Sequence, residues 1–131
     1  MILNERHYQE RKRLTETLER LRVDGFRVFI SSDEEYNYGL ITDGAHMIGI
    51  ENAPYFNGFV LTYDYVPKEK FGTGVGYLDP LVGKTNITRE DIEGCISYGI
   101  GYTAKHGTRR YASLDEFMKR RESFYKELPA A

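Results

Sequence analysis

The run Tyr38-Gly39-Leu40-Ile41-Thr42-Asp43-Gly44-Ala45-His46-Met47-Ile48-Gly49-Ile50-Glu51 decides the fold. Its two halves, 38–42 and 46–51, flank Asp43-Gly44, a strong hairpin signal because the favoured tight turn needs positive φ at both central positions. Upstream, Phe26, Val28 and Ile30 alternate with Arg27, Phe29 and Ser31, the two-residue period of a strand. Downstream, Asn52-Ala53-Pro54 breaks the pattern and Asn57-Gly58 leads into a further strand over 59–66. There Phe59, Leu61, Tyr63 and Tyr65 point one way, and Val60, Thr62, Asp64 and Val66 the other, until Pro67 ends the run. Four strands with short connections and no intervening helix imply an antiparallel sheet.

Helical periods surround this sheet. Over 4–23, Leu14, Leu18 and Leu21 stand at i, i+4 and i+7, with Leu3 and His7 extending the stripe, Glu16 and Arg20 spaced for an ion pair, and charge on the other faces. Asp24-Gly25 stops that helix, since glycine accepts the left-handed conformation past a helix end. His7, on the apolar edge with no second ligand-type residue one turn away, reads as a packing histidine. Thr88 with Asp91 resembles a capping box and predicts a helix to about residue 106 whose inner face holds Ile92, Ile96, Gly99 and Thr103. The alternation of Ile96, Tyr98, Ile100 and Tyr102 also fits a strand, and Gly94, Gly99 and Gly101 each cost a helix about 1 kcal/mol. Marked ends favour the helix. Ser113 with Glu116 predicts another helix through about residue 127, with Leu114, Phe117, Met118, Arg121 and Phe124 inward. The expected architecture is therefore α+β: an N-terminal helix, a four-stranded antiparallel sheet, and two C-terminal helices packed on one sheet face. It forms a single domain over 1–131, with a frayed tail at 128–131.

Composition bounds the function. The chain has 131 residues, of which 18 are basic and 20 acidic, and aromatics make up 14% with 11 tyrosines. That length suits one ordinary domain, and the aromatic content opposes disorder. No apolar run reaches membrane-spanning length. The near-neutral balance lacks the basic excess of a nucleic-acid binder. A single cysteine, Cys95, excludes a disulfide within the chain, and the start Met-Ile-Leu-Asn-Glu-Arg has no apolar leader, so a cytoplasmic setting is expected.

Few motifs carry chemistry. Gly83-Lys84-Thr85 lacks the upstream glycine of a phosphate loop, because Leu78 stands there and Pro80 removes an N–H donor. Gly72-x-Gly74-x-Gly76 misses the dinucleotide fingerprint at Tyr77, and Gly99-x-Gly101-x-x-Ala104 falls within a predicted helix. His7, His46, His106 and Cys95 belong to different elements or lie too far apart to chelate a metal. Asp43 is explained by turn chemistry, and Cys95 reads as a small buried hydrophobe. No catalytic residue, metal or cofactor is expected.

What remains is charge and phenol. Residues 25–80 carry 3 basic against 8 acidic side chains, and tyrosines crowd the same region. Exposed tyrosine is enriched at protein interfaces, and carboxylates repel phosphates. These features predict a partner-binding surface of Asp33, Glu34, Glu35, Tyr36, Tyr38, Tyr63, Asp64 and Tyr65, taking a protein with a basic surface rather than nucleic acid or membrane. A solubilising acidic face is the simpler alternative. A second alternative is a small-molecule or nucleotide site, or an enzyme, using the 71–77 loop with Gly72, Thr73, Gly74, Gly76 and Tyr77. In kind, a compact acidic domain without a catalytic signature looks like the accessory proteins of phages and mobile elements, some of which antagonise host defence nucleases by filling a basic groove. That likeness implies an inhibitor or adaptor, as monomer or homodimer.

Overall fold

The computed structural model describes residues 4–53, 58–63, 75–78, 83–106, 119 and 122–129. Helix α1 spans Glu5–Val23, capped by Asn4, whose side chain accepts from the His7 amide. Gly25, at φ 104°, ends it in the left-handed region, and Phe26 N donates to Leu21 O across the turn at 3.2 Å. Leu14, Leu18 and Leu21 are fully buried, so the periodic stripe is the docking face. Arg20 donates to the Ile87 carbonyl at 2.6 Å, outside its own helix.

Strands β1 (Arg27–Ser31), β2 (Tyr38–Thr42), β3 (Met47–Asn52) and β4 (Phe59–Tyr63) follow as an antiparallel meander. Two short strands enlarge the expected sheet: β5 (Val75–Gly76) pairs with β4, and β6 (Tyr125–Glu127) pairs with β1. Among the described residues the order is β5-β4-β3-β2-β1-β6, with the four predicted strands in the middle. The β2–β3 turn differs from the two-residue type. Thr42 pairs with Met47, only Gly44 takes positive φ (99°), and Asp43 Oδ1 instead accepts from the amides of Ala45 and His46. A short carboxylate that bonds its own turn replaces the second left-handed residue.

The expected pair of C-terminal helices reduces to one among the described residues, where only Lys119 of the second is helical. Among the described residues one further helix follows the sheet, α2 (Arg89–His106). Thr88 N donates to Asp91 Oδ2 at 2.8 Å and Asp91 N donates back to Thr88 Oγ1, the reciprocal cap read from the sequence. The end of the other predicted helix is instead a turn at 122–124 and strand β6. Phe124 therefore does not face a helix–sheet core, and Ser113, Leu114, Glu116, Phe117, Met118 and Arg121 lie outside the described residues. The backbone donors and acceptors on the outer edge of β1 need partners, and three residues of β6 supply them. Leu128, expected in a frayed tail, donates to Val28 O at 3.0 Å and packs on the core.

Both helices cover one sheet face, α1 over β1 and β2, and α2 over β4 and β3. Val28, Ile30, Ile41, Ile48, Ile50, Leu61 and Tyr63 meet them there. Fully burying such side chains contributes roughly 1.5–3 kcal/mol each before the cost of ordering them. The opposite face carries a smaller buried group of Phe29, Leu40 and Met47, with Tyr125 at its edge.

Candidate functional site

The β1–β2 connection, residues 32–37, is built from its own polar atoms and from α1. Asp33 Oδ1 accepts from Glu35 N at 2.9 Å, and Tyr36 N donates to Asp33 O at 3.1 Å. Ser31 Oγ donates to Tyr36 O in a short bond and accepts from Tyr38 N. Beneath them, Arg11 donates to Ser31 O at 2.9 Å and to Tyr36 O at 2.8 Å, so its guanidinium is committed to holding the connection. His7 adds a second strap. Its Nε2 lies 2.5 Å from Glu34 O, and its Nδ1 and backbone carbonyl face Asn37 Nδ2 at 3.3 and 3.1 Å. A carbonyl only accepts and an amide NH2 only donates, so these contacts suit a proton on Nε2 and a lone pair on Nδ1.

This scaffold presents three rings to solvent. Tyr36 is 42% exposed, Tyr38 38% and Phe124 36%. Tyr36 stacks on Tyr38 with ring centroids 6.1 Å apart and planes 16° from parallel. Phe124 lies 5.6 Å from Tyr36 and 6.2 Å from Tyr38, and meets Tyr125 edge-on at 5.0 Å. Ser32 N donates to Phe124 O at 2.8 Å, which fixes the turn before β6 against the connection. On the same connection as Tyr36, Asp33 and Glu34 are exposed and Glu35 is half-buried. Glu51, the cross-strand partner of Tyr38, is a further carboxylate on this side, and burial pushes its pKa up.

No family model matches this sequence, and no curated protein or solved structure is significantly similar to it.

The eight residues read as one surface therefore separate. Asp33, Glu34, Glu35 and Tyr36 share one connection, and the Tyr36 ring stacks on Tyr38. Tyr63 does not join them: at 1% exposure it is a core residue whose ring fills the space left by Gly99 of α2. Asp64 and Tyr65 lie outside the described residues. Phe124 was not legible as a partner of Tyr36, because the contact depends on β6 joining the sheet at an edge far from it in sequence.

Of the glycine-loop alternative, Gly72, Thr73 and Gly74 lie outside the described residues. Gly76 pairs with Thr62 in β5, and Tyr77 N donates to Leu61 O while its hydroxyl abuts Gly94. Those two positions serve the sheet edge and the seat of α2. Cys95 is fully buried, and burial pushes its thiol up to about 12, which suits packing and not nucleophilic attack. His46 Nδ1 stands 3.0 Å from Asp43 Oδ2. Burial alone would raise Asp43, but the bonds from His46 and the turn amides outweigh it and hold its carboxyl below the ordinary range. Among the described residues no three metal-ligating side chains converge. An open depression of about 430 Å³ beside the connection is lined by Tyr8, Arg11, Lys12, Thr15, Glu16 and Glu34, with charges of both signs.

Proposed function

We propose that this chain is a non-catalytic protein-binding module, an inhibitor or adaptor, that engages a basic partner surface through the rings of Tyr36, Tyr38 and Phe124 and the carboxylates of Asp33, Glu34 and Glu35. One observation carries the reading: three mutually contacting aromatic rings, each more than a third exposed, where a connection anchored by Arg11 and His7 meets the start of β2 and the turn before β6. Rings held this way offer rigid apolar area at little entropic cost, and the few hot-spot residues of an interface, in which tyrosine is enriched, cost about 2 kcal/mol or more when cut to alanine. The neighbouring carboxylates add steering towards positive charge and against phosphate. As an inhibitor, the module would fill a basic groove of the kind that holds nucleic-acid phosphates.

The test compares proteins retained by the wild-type chain with those retained by a Glu34→Lys/Glu35→Lys/Tyr36→Ala variant whose thermal unfolding matches the wild type. Selective loss of a basic partner, together with weakening of the wild-type complex as salt rises, supports the reading. Equal retention by both forms, or a complex insensitive to salt, overturns it.

A further inference from the structure

The outer face of α2 carries a second surface, independent of the ring cluster. Glu93, Ser97, Gly101 and Lys105 recur every fourth residue and so form one row along the helix. All four are exposed. Tyr98 and Ile100 flank the row on either side, 45% and 46% exposed. The three glycines of α2 separate sharply. A Cβ at Gly94 would strike the Tyr77 hydroxyl, and one at Gly99 would enter the Tyr63 ring, so the fold itself requires both. Among the described residues, a Cβ at Gly101 would meet nothing within 4 Å. Glycine there costs the helix about 1 kcal/mol relative to alanine without relieving a contact with any described residue. What a missing side chain does allow is the close approach of another backbone.

The geometry points to a second copy of this chain as the occupant, docked antiparallel on α2. Charge selects both the partner and the direction. With a two-fold axis at the level of residue 99, Ser97 of one copy opposes Gly101 of the other, and Glu93 opposes Lys105 twice over by symmetry. A parallel pair would set Glu93 against Glu93 and Lys105 against Lys105. The small centre lets the helices approach, Tyr98 and Ile100 close over the flanks, and the charges lock the register. Glu93 already pairs with Arg89 at 2.9 Å, but both side chains are more than half exposed, so that bond yields little and does not compete strongly. A helix of 18 residues is about 27 Å long, and one such crossing buries less than the roughly 800 Å² per partner of a standard interface. The association is therefore weak and concentration-dependent.

Sedimentation velocity on the full chain, from low micromolar to near-millimolar concentration, tests this. The wild type should pass from monomer to dimer. Glu93→Lys and Lys105→Glu should each weaken the dimer about tenfold, because two symmetry-related attractions become repulsions. An equimolar mixture of the two variants should associate as tightly as the wild type, which a fold defect in either variant would not permit. Gly101→Leu should abolish the dimer while circular dichroism stays unchanged. A wild type that remains monomeric throughout overturns the proposal. So does a dimer indifferent to both charge reversals, or a variant mixture that stays dissociated.

Discussion

The two helices reach the same sheet face by opposite means. Under α1 the helix supplies the bulk and the strand supplies the space. Leu18 sits over Gly39, where an added Cβ would fall 2.7 Å from Ile50 Cγ2 and 3.2 Å from Leu18 Cδ1. Under α2 the strand supplies the bulk and the helix the space, since the Tyr63 ring occupies the volume at Gly99. Close packing needs complementary shapes, and either partner can carry the large side chain. The difference teaches where substitutions hurt: at α1 the damage comes from removing atoms, at α2 from adding them.

Cutting Leu18 to alanine should therefore have the largest effect, lowering unfolding free energy in urea by about 3–4 kcal/mol, because the vacated volume lies against strand backbone that cannot collapse into it. Gly99→Ala should follow at about 2–3 kcal/mol, since the Tyr63 ring must move to admit one methyl. A Gly99→Ala/Tyr63→Leu double variant sharpens the contrast. It should recover stability relative to the sum of the single changes, whereas Leu18→Ala has no comparable rescue on α1.

The start of α2 yields a smaller, pH-dependent effect. Burial would raise the Asp91 carboxyl, but the Lys84 ammonium at 2.7 Å and the bonds from Thr88 outweigh it and hold it below its ordinary value of 3.8. A carboxyl lowered in the folded state stabilises above its unfolded pKa, and that contribution is lost as pH falls below 3.8 through the lower folded value. Asp91→Asn should cost about 1 kcal/mol at neutral pH, as loss of a cap does, and should flatten the acid limb of a stability–pH curve. The smallest effect has the opposite sign. Gly101→Ala, measured at dilute monomer, should stabilise by about 0.5–1 kcal/mol, the reverse of the same change two residues earlier.

Local signals were legible wherever neighbours in sequence are neighbours in space. Thr88 and Asp91 cap α2 and Gly25 ends α1 through contacts within about one helical turn, and the leucine stripe marks the face that meets the sheet by its period alone. The competing strand pattern at 96–102 lost because the reciprocal cap starts a helix and because two glycines of α2, Gly94 and Gly99, seat Tyr77 and Tyr63. The candidate surface was half legible. Asp33 to Tyr36 and Tyr38 share a connection, so their proximity follows from the chain itself. Tyr63 was misplaced because alternation along a strand shows only that one face is inward, and not which one a helix will cover. Phe124 was assigned to a helix face because its capping signal at Ser113 and Glu116 reads forward without knowing where a strand edge lies open.

By itself, then, the order of residues determined the two main helices, the central meander and the acidic, tyrosine-bearing connection, because periodicity, caps and turns act over a few bonds. Only the tertiary structure decided that residues 125–127 extend the sheet beside β1, that Tyr63 is core, and that Phe124 completes the ring cluster with Tyr36 and Tyr38. Those outcomes depend on backbone groups and cavities contributed by distant segments. Unpaired strand edges and unfilled volumes acquire a location only after the chain has closed on itself.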